Sequence, residues 1–460
     1  MAIDESKMMQ SMYDTLFGAY TNTPPGGLRA GSQENQMFIS MIPGGQPVDV
    51  QLYANPRTPL NPQGTPAATE NFSRLVDHLP LVKATYVDSG KRVSDVYRAV
   101  VEGANITPQP ENPALKAAYD KAYDLLTDEY DDFDDAGKPV KMPGDSPLYA
   151  NYKRKMNAYG DAVANFMAEA SKYDMKKPED QRAWSIIGPS KQKMLTTAWN
   201  DFQTAQAKKV EDALATVAQS AQNQVGRVFK DTQERLTLLE KASVMDQMDK
   251  YLPTYASPAN WYSARAAEGW TTLRLSSAKY QLNQSSSYVS YGGSAGFSMG
   301  LFSVGGSASH SKERQHMDSE TSDLTVSFRY ARINLERPWL NGLIFDLPGW
   351  TYGPVQKGGI SSGNPQTSDG TLMTIIPTGF IVVRDLKISA TWGKQDADSL
   401  KKATSGGGSF GWGPFSIGGS YKSASSESHF QSEFDGRTLS APGPQIMAFI
   451  STVMPFAPKA

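Results

Sequence analysis

The sequence predicts an α+β protein: an elongated helical hairpin or bundle followed by a β-rich domain built from two duplicated strand–hairpin–strand units. Three observations carry this expectation. Phe297-Ser-Met-Gly-Leu-Phe-Ser-Val-Gly-Gly-Ser307 returns 113 residues later as Phe410-Gly-Trp-Gly-Pro-Phe-Ser-Ile-Gly-Gly-Ser420, identical at seven of eleven positions. Between residues 112 and 252 apolar residues recur every three or four positions, the spacing of one helix face. Beyond Pro253 they alternate singly, which is the period of a strand.

Composition narrows the function classes. A chain of 460 residues is long enough for two or three cores. The apolar share of 39% and charged share of 20% leave the balance to Ser, Gly, Asn, Gln and Thr, a mixture suited to β-structure and loops. A net charge of −2 supplies no basic field for a phosphate backbone, so nucleic acid is not an expected partner. With no cysteine there are no disulfides, thiolate metal sites or cysteine nucleophiles. Met1-Ala-Ile-Asp-Glu-Ser-Lys-Met-Met lacks the apolar stretch of a signal peptide. The longest apolar runs, Leu372 to Ile376 and Phe380 to Val383, are strand-sized and separated by Pro377, too short for a membrane helix. The expected location is therefore cytoplasmic, or outside the cell by a non-classical route. The Asn-x-Ser/Thr sequons at Asn71, Asn105 and Asn283 read as chance matches.

Residues 1–110 read as a Pro/Gly-rich N-terminal lobe. A Met-rich segment, Met8 to Phe17, precedes a stretch dense in Pro and Gly from Pro24 to Pro66, which disfavours long helices. Met37 to Ile42 and Val48 to Leu52 look like short strands within it, and Arg74 to Val101 supplies one or two helices.

Residues 111–252 form the expected helical domain. Asn112-Pro113 and Ser146-Pro147 each place a capping side chain before a first-turn proline. Tyr149, Tyr152, Met156, Tyr159, Val163, Phe166, Ala170 and Tyr173 then make an a/d seam that needs a partner helix. The candidate partner starts at Ser190 and reaches Leu252 without proline, through Leu195, Ala198, Phe202, Val210, Leu214, Val217, Ala221, Val225 and Val228. Unbroken it would be about 90 Å long. Gly226 is its weak point, costing about 1 kcal/mol relative to Ala.

Residues 253–460 form the duplicated β-domain. Leu324, Val326, Phe328 and Tyr330 alternate cleanly, as do Leu386, Ile388, Ala390 and Trp392. One unit reads as a strand over about Trp270 to Tyr280, the first Gly/Ser-rich hairpin and a strand over Leu324 to Leu335; the other reads as Phe380 to Trp392, the second hairpin and Gln445 to Met454. A pseudo-two-fold relation is the expectation, with Arg337-Pro338-Trp339 and the loop Gly349 to Gly370 joining the units.

No catalytic, cofactor-binding or metal-binding residues emerge, so an enzyme is not expected and no cofactor is implied. The acidic run of residues 128–135 fills only part of a calcium loop, with Ala136 and Pro143 where oxygen ligands belong, and reads as a solvated helix end or exposed loop. Gly188-Pro-Ser-Lys191 lacks the first glycine of a phosphate loop and reads as a turn before the long helix. The run Gly406-Gly407-Gly408 leads into a strand rather than a helix N-terminus. His78, His310, His316 and His429 show no ligand spacing; His310 and His429, just beyond the hairpins, read as exposed strand-end residues or, on the sharper reading, as a pH switch.

The hairpins carry the functional expectation. Phe297, Met299, Phe302 and Val304 in the first, and Phe410, Trp412, Phe415 and Ile417 in the second, share bulky faces opposite Ser and Gly. Leu301 and Trp412 fall at the tips Met299-Gly-Leu301 and Trp412-Gly-Pro414. One apolar and one smooth face over about 9–11 residues is the pattern of a membrane β-barrel stave. The same face would serve equally to pack on the protein's own elements or on a neighbouring subunit.

Over residues 270–456 this arrangement is similar in outline to β-pore-forming toxins of the perforin type, in which two hairpin-forming segments flank a central sheet. The Tyr-Gly-Thr-His type of signature found there is absent, so no residue roles carry over. The resemblance implies a non-enzymatic, oligomer-forming, membrane-active protein whose partners are further copies of itself and a lipid membrane. The alternative is a structural self-assembly subunit of a particle, filament or injection apparatus, with the hairpins held in subunit contacts.

Overall fold

The computed structural model describes residues 3–21, 37–107, 113–133, 138–170, 172–173, 177–221, 224–246, 248–263, 270–278, 301–304, 311–314, 316–353, 355–405, 409–422, 427–430 and 432–459. It is a mixed helix-and-sheet fold with antiparallel sheets.

One long sheet organises the C-terminal half. Its strands are β1 (Met37–Pro47), β2 (Thr271–Ser276), β5 (Ser322–Glu336), β6 (Ile375–Thr391), β10 (Glu433–Phe434), β11 (Thr438–Ala441) and β12 (Gln445–Val453), with the short segment Tyr255–Ser257 paired to the end of β5 and β10 paired to β11. The order is β1-β12-β6-β5-β2, with β11 also on β6. β6 is continuous through Pro377 because a bulge between Pro377 and Gly379 absorbs the missing N–H. The Arg337 guanidinium donates to the Pro377 and Val76 carbonyls and lies over the Trp339 ring.

Alternation sorts the side chains onto two faces. Leu273, Leu275, Leu324, Val326, Phe328, Tyr330, Ile381, Val383, Leu386 and Ile388 share one core. Helix α1 (Glu5–Thr21) covers that face with Met8, Met9, Met12, Tyr13, Leu16 and Phe17, all buried. The opposite face, with Ile333, Phe380, Val382 and Phe449, packs on Phe72 and Val76 of α2 (Pro66–Val76) and on Trp261. The first 47 residues thus contribute a helix and an edge strand to the same core as the C-terminal strands. Val50–Tyr53 is a 3-10 turn capped by Asp49, not the strand expected over Val48 to Leu52, because the Asp49 carboxylate accepts the Gln51 N–H and closes the turn.

Helices α3 (Val93–Glu102), α4 (Pro113–Leu126), α7 (Ala207–Ala221) and α8 (Val225–Leu239) share a second core with Trp339, Phe345 and Trp350 from the connection between β5 and β6. Helix α5 (Pro147–Ala170) starts at the expected cap, where Ser146 Oγ accepts the Tyr149 N–H and donates to the Leu125 carbonyl. It pairs with α6 (Pro178–Thr204) through aromatic contacts: Tyr152 on Phe202 at 5.1 Å, Tyr159 on Trp199 at 5.2 Å and Phe166 on Trp184 at 5.6 Å, with Tyr173, beyond the end of α5, also on Trp184 at 5.5 Å.

The long helix from Ser190 is not one helix. It begins earlier, at Pro178, and carries Gly188 and Pro189 inside α6 instead of in a turn. Gly188 lies beneath the Trp184 indole, where a Cβ would meet Cε2 at 2.8 Å, and this close approach explains the glycine. Gln206 then takes a left-handed φ of 58° and separates α6 from α7, and a second break precedes α8 at Gln224. The described part of the acidic run, up to Phe133, is strand rather than helix end: Thr127–Phe133 pairs with Pro139–Asp145, setting Asp131 beside Lys141 at 2.7 Å.

Candidate functional site

The strand order places the two Gly/Ser-rich inserts between paired strands of the sheet. Residues 277–321 join β2 to β5, and residues 392–437 join β6 to β11. Leu273 faces Phe328 and Leu275 faces Val326 across β2 and β5. At the same 113-residue offset as the sequence repeat, Leu386 faces Ala441 and Ile388 faces Leu439 across β6 and β11. Arg274 opposite Ser327 and Ser276 opposite Thr325 likewise become Lys387 opposite Ser440 and Ser389 opposite Thr438. No rung slips. Asp323 and Gly436, also 113 apart, both take a left-handed φ, of 54° and 95°, on entering the second strand of each pair.

The corresponding strands alternate along the sheet, β2 and β6 as first strands, β5 and β11 as second. The pairs therefore repeat side by side in one sheet, and the expected pseudo-two-fold exchange is not the relation seen. A two-fold across β5 and β6 would put a first strand where the chain has a second.

The inserts meet each other in a second sheet. Strands β3 (Leu301–Val304), β4 (Ser311–Arg314), β7 (Phe410–Trp412), β8 (Phe415–Lys422) and β9 (Glu427–Phe430) lie in the order β4-β3-β7-β8-β9. Leu301 opposes Trp412 and Ser303 opposes Phe410, so the first insert pairs directly with the second. Phe297, Met299 and His310 lie outside the described residues, and of the Leu301, Phe302 and Val304 side chains only the strand positions are described. The chain before the second hairpin is helix α9 (Lys394–Ser405), not hairpin strand; its Leu400 and Ala403 join the main core.

The second hairpin turns at Gly413-Pro414, where the tip was expected, with Gly413 at a φ of 55°. Its apolar residues are not exposed there. Trp412 is 1% exposed, Phe415 and Ile417 are fully buried, Phe410 packs at their edge, and the Phe415 ring lies 5.1 Å from Phe328 of β5. An Asp at position 412 would enter the core, so the tip cannot accept a charge with the fold intact.

Two polar clasps hold the inserts down. At the tip, Gln445 Oε1 accepts the Ser416 N–H at 2.6 Å and Gln445 Nε2 donates to the Ser416 carbonyl at 3.2 Å, while the Gly44 N–H donates to the Gly413 carbonyl at 2.8 Å. Gly45, with a φ of 58°, lets β1 approach this turn; a Cβ there would lie 2.9 Å from Ser416 N. At the root, Asp396 Oδ2 accepts the Asp318 N–H at 3.0 Å and the Thr321 hydroxyl at 2.6 Å. In return, Asp318 Oδ2 accepts the Gln395 N–H at 3.2 Å in the first turn of α9. Burial raises the Asp396 carboxyl above its ordinary range, against the lowering effect of its hydrogen bonds to Thr321 and Asp318. Sequence reasoning found the hairpins but neither clasp, because Gln445 and Asp396 reach their partners only through the tertiary fold.

Among the described residues no group of three or more His, Cys, Asp or Glu side chains is placed to hold a metal ion, and no helix is long and apolar enough to cross a membrane. No protein-family model, no curated protein and no solved structure matches this chain.

Proposed function

We propose that this chain is a non-enzymatic, oligomer-forming, membrane-active protein in which the two inserts leave the face of the sheet and enter a bilayer as β-hairpins. The observation that carries the reading is the repeated register: two strand pairs with identical rungs 113 residues apart, each enclosing an insert with a Gly/Ser-alternating segment. A duplicated strand–hairpin–strand unit accounts for it. Each insert is long enough for two membrane-crossing strands of about 9–11 residues. The energetics fit as well. Trp412, Phe415 and Ile417 would exchange an apolar core for hydrocarbon, which costs little net transfer energy, while the Ser and Gly face would line a polar lumen. Helix α6, packed on α5, keeps most of its residues exposed and is then available for contact between copies.

A second reading, a self-assembly subunit with permanently packed hairpins, draws on the Gln445 clasp and the burial of Trp412. Cysteine placed at Ser303 or Ser420 in this cysteine-free chain and labelled with a polarity-sensitive dye separates the two. Membrane entry predicts that dye mobility and quenching change on adding vesicles. Unchanged signals at both positions with vesicles bound favour the assembly subunit.

A further inference from the structure

Leu60 and Met248 are the most exposed large apolar side chains among the described residues, at 98% and 96%, and Met245 is 53% exposed. Each stands on a closed turn. In Thr58-Pro59-Leu60-Asn61 the Thr58 N–H donates to the Asn61 carbonyl at 3.1 Å and the Asn61 N–H to the Thr58 carbonyl at 2.9 Å. The Asn61 side-chain amide donates to Asn55 Oδ1 and the Pro56 carbonyl, both at 2.9 Å. Pro59, Pro62 and Pro66 have no N–H to satisfy, and residues 58–66 carry no charge.

The second turn is braced from inside. Glu70, fully buried on α2, accepts the Ser243 hydroxyl at 2.5 Å and the Val244 N–H at 2.8 Å. Ser243 Oγ in turn accepts the N–H groups of Met245 and Asp246 at 3.1 and 2.9 Å, and Asp246 Oδ1 accepts the Met248 N–H at 3.0 Å. Both turns stand on α2: the Thr69 hydroxyl donates to the Arg57 carbonyl at 2.6 Å, and Arg74 pairs with Asp249 at 2.8 Å. One carboxylate joins their bases, since Asp132 lies 3.6 Å from Arg57 and 3.4 Å from Lys241.

Backbone donors satisfied within a turn lower the cost of leaving water, and a turn already ordered loses little entropy on docking. Apolar side chains projecting from two separate turns, Leu60 on one and Val244, Met245 and Met248 on the other, suit a fluid apolar phase. A protein partner is met by a contiguous patch with a packed centre. The Leu60 turn, uncharged over residues 58–66, also reaches headgroup depth without burying a charge, whereas the second turn carries Asp246 between its two methionines and Asp249 paired with Arg74, which holds that prong at the polar headgroup level.

We propose that Leu60, with Met245 and Met248, forms a two-pronged anchor that seats this end of the molecule in the interface of a phospholipid bilayer. The proposal rests on the membrane reading above. The test uses phosphatidylcholine vesicles and single variants Leu60→Cys, Met248→Cys and, as control on the exposed face of α8, Lys230→Cys, each labelled with an environment-sensitive dye. Emission should shift to the blue and brighten at 60 and 248 but not at 230. Leu60→Ser with Met248→Ser should keep the wild-type melting temperature and weaken vesicle co-sedimentation by about tenfold per side chain. Unchanged emission at both tips with vesicles bound, wild-type sedimentation of the double Ser variant, failure of the wild type to sediment, or a lipid-free shift that grows with protein concentration would each overturn the anchor. Tip-dependent binding without dye leakage supports the anchor and removes the pore; leakage with silent tips does the reverse.

Discussion

The side-chain amide of Gln445 grips the backbone of Ser416 at both its N–H and its carbonyl, and both residues are buried. Gln445 opens β12 beside the bulge of β1, and Ser416 lies just past the turn of the second hairpin, so this pair fastens the hairpin to the sheet edge. Gln445→Met keeps the side-chain length and removes both bonds. Two buried backbone groups would lose their partners, at about 1–3 kcal/mol each. Hydrogen exchange over 410–422 should accelerate while exchange over β5 and β6 stays slow; equal rates in both proteins would mean the clasp holds nothing.

Tyr159 stacks edge-on against Trp199 at 5.2 Å, yet its hydroxyl is buried without a hydrogen-bond partner. Tyr159→Phe should therefore be neutral or slightly stabilising, whereas Tyr159→Ala should cost about 3–5 kcal/mol in chemical denaturation. A loss on Tyr159→Phe as large as on Tyr159→Ala would contradict the packing assigned to α5 and α6.

The repeated register makes its own forecast. Leu275 and Ile388 occupy equivalent rungs and are both buried in the main core. Ala at either position should lower stability by about 2–5 kcal/mol. A neutral result at one of them would show that the two strand pairs do not share a packing role.

Asp161 of α5 lies where α1, α5 and the sheet meet, near Arg332, which itself sits 5.5 Å over the Tyr20 ring. Burial pushes the Asp161 carboxyl up to about 6, against the opposing pull of Arg332. A raised folded-state value means the native protein binds the proton more tightly than the unfolded chain. Its contribution to stability is complete below about pH 4 and is lost as pH rises through about 6. Asp161→Asn should flatten the stability profile between pH 4 and 6 and stabilise the protein at pH 7 by about 1–2 kcal/mol. A wild-type profile unchanged by the substitution would rule out this titration.

The strands of the sheet were legible because alternation is a local signal: Leu324, Val326, Phe328 and Tyr330 were read directly as one buried face. So was the turn at Gly413-Pro414, which a glycine at positive φ makes specific. The helix breaks were not legible. Nothing at Gln206 forbids helix, and its left-handed conformation is set by how α6 and α7 dock. Pro189 misled for the opposite reason, since a proline that signals a helix start is here carried inside one. α9 was missed because Lys394 to Ser405 is polar and anchors only through Leu400 and Ala403. The clasps at Gln445 and Asp396 join residues 29 and 78 positions apart, a separation no local pattern encodes.

Dye release from phosphatidylcholine liposomes, measured for the wild type and Gln445→Met side by side, tests membrane activity most directly. The wild type should release dye, and the variant should release it faster, because the clasp opposes departure of the hairpin. No release from either protein at any protein-to-lipid ratio, together with stable oligomers in lipid-free buffer, would contradict the account and leave a self-assembly subunit with fixed hairpins.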